Sequence, residues 1–337
     1  MHDVARHAGV SSQTVSRVAN GLQNVEESTR KRVLDAMQEL GYRPNKAARA
    51  LRSGRFHNIG VAMFTLSSYG NMRMLDSVAS AAADSGYSLT LVLVGKPTQH
   101  DVSAAFERLL EHGVDGILIV IEAHLADAAV VELPAGLPVV VVDSVTRSDY
   151  PVVDNDQAGG ARLATQHLLD LGHETVWHLA GPEPSYSATR RLDEWRSVLE
   201  HAGRRVPPVT HGDWSTTAGY QAGLKLAERD DVTAVFAAND QMALGMLRAF
   251  HELGRDVPGD ISVVGYDDMP EAESFWPPLT TVRQNFEAVG KRSIETLLGE
   301  IEEGPGRTGT LVVPTSLVVR SSTAPPRAGV AVLDRGE

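Results

Sequence analysis

Polar side chains stand at the ends of apolar runs along much of this chain. Asp143 closes Val139-Val140-Val141-Val142, Asn239 and Asp240 follow the run 234–238, and Asp267 and Asp268 follow Val263-Val264-Gly265-Tyr266. Gln284 and Phe286 follow Leu279-Thr280-Thr281-Val282, Arg191 begins a helical stretch after Gly181-Pro182, and Trp214 follows Gly212-Asp213. Carboxylates, amides and one guanidinium can bind paired hydroxyls bidentately, and an aromatic face can pack on the apolar C–H side of a pyranose. This set suits polyol binding rather than proton transfer. His173-Glu174 with His178 does not have the H-E-x-x-H spacing of a metal hydrolase and falls in a strand-like stretch. No G-x-G-x-x-G follows a strand and no G-x-S-x-G elbow occurs, so neither a dinucleotide-dependent enzyme nor an elbow hydrolase is expected. The chain has no cysteine, which removes disulfides, thiol nucleophiles and cysteine metal sites. We expect no catalytic residue, no metal and no cofactor.

These side chains need a scaffold that brings strand ends together. From Phe56 onward, short continuous apolar runs alternate with amphipathic helical stretches. Strands are expected at 59–64, 87–94, 116–121, 139–143, 152–154, 175–179, 234–237, 261–266 and 316–320. Helices are expected at 72–85, 102–112, between 121 and 139, and at 159–171, 190–202, 217–228 and 242–253. Apolar strands separated by amphipathic helices mean parallel sheets covered on both faces. Two such halves in series make an α/β core of two doubly wound lobes, with a ligand crevice where strand C-termini open between them. At 337 residues and 42% hydrophobic, the chain can bury sizeable cores and carry a further small domain.

That further domain lies at the N-terminus and is expected to be all-α. Val4, Ala5 and Ala8 share one helical face, Gly9 ends the helix, and Ser11 or Ser12 can cap the next. In that second helix Val15 and Val18 face inward, while Ser12, Gln13, Ser16 and Arg17 point outward. Gln suits adenine and Arg suits guanine in the major groove, where a helix-turn-helix places its second helix. Ser28 or Thr29 can cap a third helix running to about Leu40, with Val33, Leu34, Met37 and Leu40 on its core face. Asn45 can cap a short helix over 46–52, too short to be stable without a partner. Residues 1–55 hold ten Lys and Arg against five Asp and Glu, while the whole chain carries −12. A basic head on an acidic body fits one end meeting a polyanion.

Asp3-Val4-Ala5, Gly9-Val10-Ser11, Thr14-Val15-Ser16-Arg17-Val18, Asn20, Gly41-Tyr42-Arg43-Pro44-Asn45 and Ala48-Arg49-Ala50-Leu51 resemble, in order, the headpiece of the LacI/GalR family of bacterial repressors. The resemblance continues through Leu179-Ala180-Gly181-Pro182, Gly212-Asp213-Trp214-Ser215, Ala238-Asn239-Asp240-Gln241-Met242 and Asp260-Ile261-Ser262-Val263-Val264-Gly265-Tyr266-Asp267-Asp268 to nearly the full chain. It implies a periplasmic-binding-protein-like core. It also implies DNA contacts from Ser12, Gln13, Ser16, Arg17, Asn20, Asn45, Ala48 and Leu51, the last as a wedge in the central minor groove. The implied effector residues are Asp143, Arg191, Trp214, Asn239, Asp267, Gln284, Phe286 and Phe64. Phe64, Ser68, Tyr69, Gly70, Asn71 and Met74 depart from the small polar and aliphatic residues usual after the first core strand.

The implied organisation is a headpiece over 1–43, a hinge helix and linker over 44–55, a first lobe over 56–154 and 284–313, a second lobe over 155–283 and 314–323, and a disordered tail over 324–337. The implied partners are double-stranded operator DNA, a small sugar effector such as a galactoside, and a second copy of the chain, with no membrane. A corepressor-type regulator, or one reading a purine or another sugar, is the alternative. No stretch is apolar and long enough to span a bilayer, so a cytoplasmic, nucleoid-associated protein is expected. The tail carries one Leu, prolines, glycines and no heptad, so a dimer rather than a coiled-coil tetramer is expected.

Overall fold

The computed structural model describes residues 1–19, 22, 24–42, 54–95, 98–120, 136–143, 150–306 and 308–327. The expected hinge helix and the helix between 121 and 139 lie outside them. The described chain forms two compact units, Met1–Phe56 and His57–Glu337.

In the first unit, α1 (His2–Ala8) ends at Gly9, whose φ of 65° is the left-handed cap that glycine adopts without a Cβ penalty. The Ser11 hydroxyl accepts the Thr14 amide at 3.1 Å and so caps α2 (Ser12–Ala19). The helices enclose Val4, Ala5, Ala8, Val15, Val18, Val33, Ala36 and Met37. Two expectations for α3 (Glu27–Glu39) are corrected. It starts at Glu27 after Glu26, with no side-chain cap from Ser28 or Thr29. Its core face is Val33, Ala36 and Met37, while Leu34 and Leu40 are exposed. One residue is 100° around a helix, so Leu34 turns off the face that Val33 sets, and Leu40 stands beyond the last turn.

The second unit holds two six-stranded sheets. In the first, β1 (Asn58–Met63), β2 (Ser88–Leu93), β3 (Gly116–Val120), β4 (Val139–Val142) and β5 (Pro151–Asn155) are joined by a late strand, β11 (Gly309–Val313). The order is β11-β5-β4-β3-β1-β2, parallel throughout. The second sheet contains β6 (Trp177–Ala180), β7 (Thr210–His211), β8 (Ala234–Ala237), β9 (Ser262–Asp267), β10 (Thr280–Arg283) and β12 (Ser316–Val318). Its order is β12-β10-β9-β8-β6-β7, parallel except for β12 against β10. The chain therefore passes between the sheets after β5, β10 and β11. At one crossing the Asp156 amide donates to the Val313 carbonyl at 2.9 Å, and the Thr315 hydroxyl donates to the Asp156 carbonyl at 3.2 Å.

The helices begin at capping side chains that sit at strand ends. Ser68, Asp156, Ser185, Ser215, Asn239 and Asn285 each accept the amide three residues on. The helices they start are Tyr69–Asp84, Gln157–Asp170, Tyr186–His201, Thr216–Ala227, Asp240–Glu252 and Phe286–Glu303. The last has no counterpart among the sequence expectations. Helices Thr216–Ala227 and Asp240–Glu252 cross with almost no side chain between them. A Cβ on Gly245 would lie 2.0 Å from the Thr216 carbonyl oxygen, and one on Gly219 2.1 Å from that of Met242.

The first four residues of the expected disordered tail are instead tied down. The Ala324 carbonyl meets the buried His173 ring at 3.0 Å and accepts from the Ser262 hydroxyl at 2.9 Å. The Arg327 guanidinium pairs with Asp260 at 2.5 Å and with Asp256 at 3.5 Å. Residues 328–337 lie outside the described set.

Candidate functional site

Among the described candidates for DNA contact, Ser12, Gln13 and Arg17 are exposed on α2, opposite the buried Val15 and Val18. Ser16 is half-buried. Asn20, Asn45, Ala48 and Leu51 lie outside the described residues. Arg17 is in the last turn of α2, and the first turn carries no acid. The His7 ring meets Glu39 at 2.6 Å and ties α1 to α3, so the exposed face of α2 is held on a three-helix base. Such a face offers an amide, a hydroxyl and a guanidinium to base edges with no competing carboxylate.

In the second unit a narrow cleft, partly open to solvent, lies between the ends of the two sheets. From the first sheet's side come Ser68, Tyr69, Gly70, Asn71, Met74, Val120, Asp143 and Phe286. From the second come Gln157, Ser187, Arg191, Trp214, Asn239, Asp267 and Gln284. Of the eight expected effector residues, the cleft gathers seven. Phe64 is the exception. Side chains alternate along a strand and its extension, so Phe64 turns with Ala62 to the opposite face of the sheet and packs in the cluster of Val92, Phe106 and Ile119. Met63, on the other parity, belongs to the cluster that contains Phe286.

The side chains at the ends of the second sheet, Gln284 after its strand Thr280–Arg283 included, form a bonded network. Arg191, 4% exposed, donates to Gln157 Oε1 at 2.9 Å and to the Ala238 carbonyl, and stands 3.8 Å from Asp267. Gln284 donates to Asp267 at 2.6 Å and accepts from Gln157 at 3.2 Å. The guanidinium lies 3.7 Å from the Tyr266 ring centre and 5.6 Å from that of Trp214. Tyr266 fits because Gly160 lacks a Cβ, which would fall 2.3 Å from its hydroxyl; Trp214 likewise covers Gly181 at 2.3 Å. Asn239 caps its helix through Oδ1 and donates from Nδ2 to the Trp214 carbonyl at 3.0 Å. The cluster is therefore held in place by its own hydrogen bonds.

The backbone is held unusually at the same places. Asp143, Trp214 and Asp267 have φ of 48°, 71° and 112°, in the region that side chains with a Cβ rarely adopt. Asp143 is aimed by Asn155, whose amide donates to it at 2.8 Å and whose side chain donates at 3.1 Å. Beside it, burial and then the neighbouring Asp143 carboxyl push the Asp154 pKa well up. Tyr186, from the second lobe, donates to Asp154 at 2.9 Å. Two further strand-end acids are committed elsewhere. Asp240 is fully buried, accepts from Thr281 at 2.5 Å and from the Met269 amide at 2.9 Å, and is shifted upward by burial and then by Asp267. Asp268 is paired with Arg283 and Arg320, each at 2.6 Å. Gln157 and Ser187 were not singled out from sequence. Their signal was available in the helix caps Asp156 and Ser185, each placing the next helical positions at a strand end.

Comparison with known proteins agrees with both halves. Residues 1–45 match the lacI family of bacterial regulatory proteins, and residues 165–323 match a periplasmic binding protein-like domain. The lactose operon repressor of Escherichia coli (strain K12) is 36% identical over 335 residues, covering 98% of this chain and 92% of its own. A crystal structure of the lac repressor dimer bound to operator and the anti-inducer ONPF superposes with a TM-score of 0.86 at 36% identity, covering 96% of this chain and 98% of that one. A complex of the transcriptional regulator CelR with cellobiose gives a TM-score of 0.71 at 32% identity, covering 95% and 98%.

Proposed function

The chain belongs to the LacI family of bacterial regulatory proteins, and from that premise we propose that it represses transcription by binding a palindromic operator as a dimer and leaves it when a small sugar fills the cleft. The observation that carries this reading is the pairing, in one chain, of a basic helix-turn-helix with a pre-bonded polyol cleft between two lobes. The solved relatives named above hold operator DNA or a sugar ligand. A galactoside is the first choice of effector, because the family resemblance assigns Asp143, Arg191, Trp214, Asn239, Asp267, Gln284 and Phe286 to the effector site and the lactose operon repressor is 36% identical to this chain. The work of the cleft is binding, and no chemical step is assigned to it.

Two heads meet two half-sites of the palindrome. Sugar then favours an arrangement of the lobes with low operator affinity. It must bind that low-affinity arrangement more tightly, because a ligand with equal affinity for both states shifts nothing. The decisive test is specific binding of the full chain to a palindromic fragment, measured by fluorescence anisotropy with and without galactosides. Specific binding that no sugar alters would overturn the effector assignment.

Arg17 is proposed to read a base. Arg17→Ala is expected to cost about 1–3 kcal/mol on the preferred operator and to relax preference at one position. Equal weakening across all sequences would reassign Arg17 to the phosphates.

The assembly is proposed to stop at the dimer. Sedimentation equilibrium at micromolar protein is expected to give twice the chain mass of 36.2 kDa. Deleting residues 328–337 should leave the dimeric state unchanged, whereas deleting 324–337 also removes the ties to His173, Ser262 and Asp260 and should lower thermal stability. A tetramer that the shorter deletion converts to dimers would show that the tail joins dimers after all.

A further inference from the structure

We propose that Asp154 holds a proton shared with Asp143 and links it to the second lobe through Tyr186, so that the cleft answers to pH as well as to its effector. The effector assignment uses neither Asp154 nor Tyr186.

Register brings the two acids together. β4 and β5 are parallel neighbours with Val142 beside Val153, and the Asp143 amide extends the ladder by donating to the Val153 carbonyl at 3.2 Å. The next pair is Asp143 and Asp154, whose carboxyls are in hydrogen-bonding reach. Like charges side by side destabilise a sheet, and two carboxylates offer each other only acceptors. Asp143 already accepts from the Asn155 amide at 2.8 Å and from its side chain at 3.1 Å, and Asp154 Oδ2 accepts from the Tyr186 hydroxyl at 2.9 Å. Asp154 Oδ1 is buried and meets no donor among the described residues. One proton on Oδ1 answers both facts. It removes a charge from the pair and gives the orphan oxygen a hydrogen to donate to Asp143. The relay then runs from the Tyr186 hydroxyl through a neutral Asp154 to a charged Asp143.

The surroundings favour the neutral acid. On the far side of β5, β11 sets the apolar Val312 beside Asp154. Asp156 is committed to capping its own helix. Helix Tyr186–His201 contributes Tyr186 and Arg190, and Arg190 is exposed. Burial and then Asp143 raise the Asp154 pKa to about 8, against the opposite pull of Tyr186 and Arg190.

The relay also crosses the lobes. Asp154 lies on the last strand before the chain leaves the first sheet, and Tyr186 begins a helix of the second lobe. The Tyr186 hydroxyl favours the ionised acid, so a movement that parts the lobes there tightens the hold on the proton. Loss of the proton gives Asp143 a repelling neighbour in place of a donor, and displaces the carboxylate that Asn155 aims at the cleft.

The test is thermal melting of the full-length protein without ligand, from pH 6 to pH 9. The folded chain keeps the proton up to about pH 8, whereas the unfolded chain releases it near roughly pH 4. Wild-type stability should therefore fall as pH rises between those values and level off above them. Asp154→Asn keeps a donor toward Asp143 and an acceptor for Tyr186 with no proton to lose. Its melting temperature relative to wild type should rise by about 3 °C or more from pH 6 to pH 9. Tyr186→Phe should carry the wild-type decline to higher pH. The proposal falls if the difference between Asp154→Asn and wild type is the same at every pH, or if Tyr186→Phe leaves the end of the decline in place. Calorimetry with lactose reads the cleft. Wild-type affinity should weaken about ten-fold from pH 7 to pH 9, while Asp154→Asn holds its pH 7 value. Equal weakening in both overturns the link to the cleft. If lactose binds neither at any pH, the galactoside reading fails, and the melts decide the proton without it.

Discussion

Arg191→Ala and Asp267→Ala are each expected to abolish the response to sugar and leave the protein on its operator. Both side chains are buried, 3.8 Å apart, inside the network that joins Gln157, Gln284 and the Ala238 carbonyl. Removing either partner of a buried ion pair leaves the other uncompensated, at roughly 3–5 kcal/mol. Part of that falls on the fold, so each variant should also melt earlier. The remainder falls on the ligand, because hydroxyls that meet a buried carboxylate or guanidinium lose a charge-assisted partner. Sugar affinity should drop about 100-fold or more. The DNA-contacting head is a separate compact unit, so operator affinity without sugar should persist. Titration calorimetry together with operator anisotropy in excess sugar reads both effects. Near-normal sugar affinity in either variant would remove Arg191 and Asp267 from the ligand set.

Gly245→Val should be the most damaging single change outside the cleft. Even the first carbon of the new side chain would fall 2.0 Å from the Thr216 carbonyl oxygen and 2.5 Å from the Tyr220 amide nitrogen. Both are backbone atoms, so no rotamer change can make room and the helices must separate. Overpacking that moves backbone costs about 3 kcal/mol or more. Helix Asp240–Glu252 also carries the Asn239 cap that reaches the Trp214 carbonyl, so separation would disturb one wall of the cleft. A fall in the melting temperature of at least about 5 °C is expected, accompanied by weaker sugar binding. A melt unchanged within error would mean that the crossing tolerates a wider spacing than its glycines imply.

The features legible in sequence are those with a short-range cause. Runs such as Val139-Val140-Val141-Val142 give buried parallel strands because both faces are covered, and their ends mark the crevice by topology alone. Strand ends point to Asp143, Asn239, Asp267 and Gln284 but equally to Asp240 and Asp268; the resemblance narrows the set, and seven of its eight candidates line the cleft. Helix starts were read late, at Met72 for Tyr69 and at Arg190 for Tyr186, because apolar periodicity begins only after the first turn. The capping residues Ser68 and Ser185 held the better signal. Phe64 lies away from the cleft because being next to a strand end does not say which way a side chain points; its parity with Ala62 does. Leu34 is exposed for a similar reason, because its angular position on the helix outweighs its hydrophobicity. The network joining Gln157, Gln284, Arg191 and Asp267 spans residues far apart in sequence, and no local pattern encodes such a meeting.

Asp143, Trp214 and Asp267 all hold left-handed backbone conformations at the cleft. Each such residue costs on the order of 1–3 kcal/mol, a cost glycine would not incur. The protein thus holds backbone strain at three of the residues proposed to meet its effector. A lineage or laboratory selection that rewarded heat resistance alone would drift toward glycine or asparagine at these positions, gaining robustness while going deaf to its signal. Responsiveness in this molecule has to be selected continuously, against the stability that would accrue from losing it.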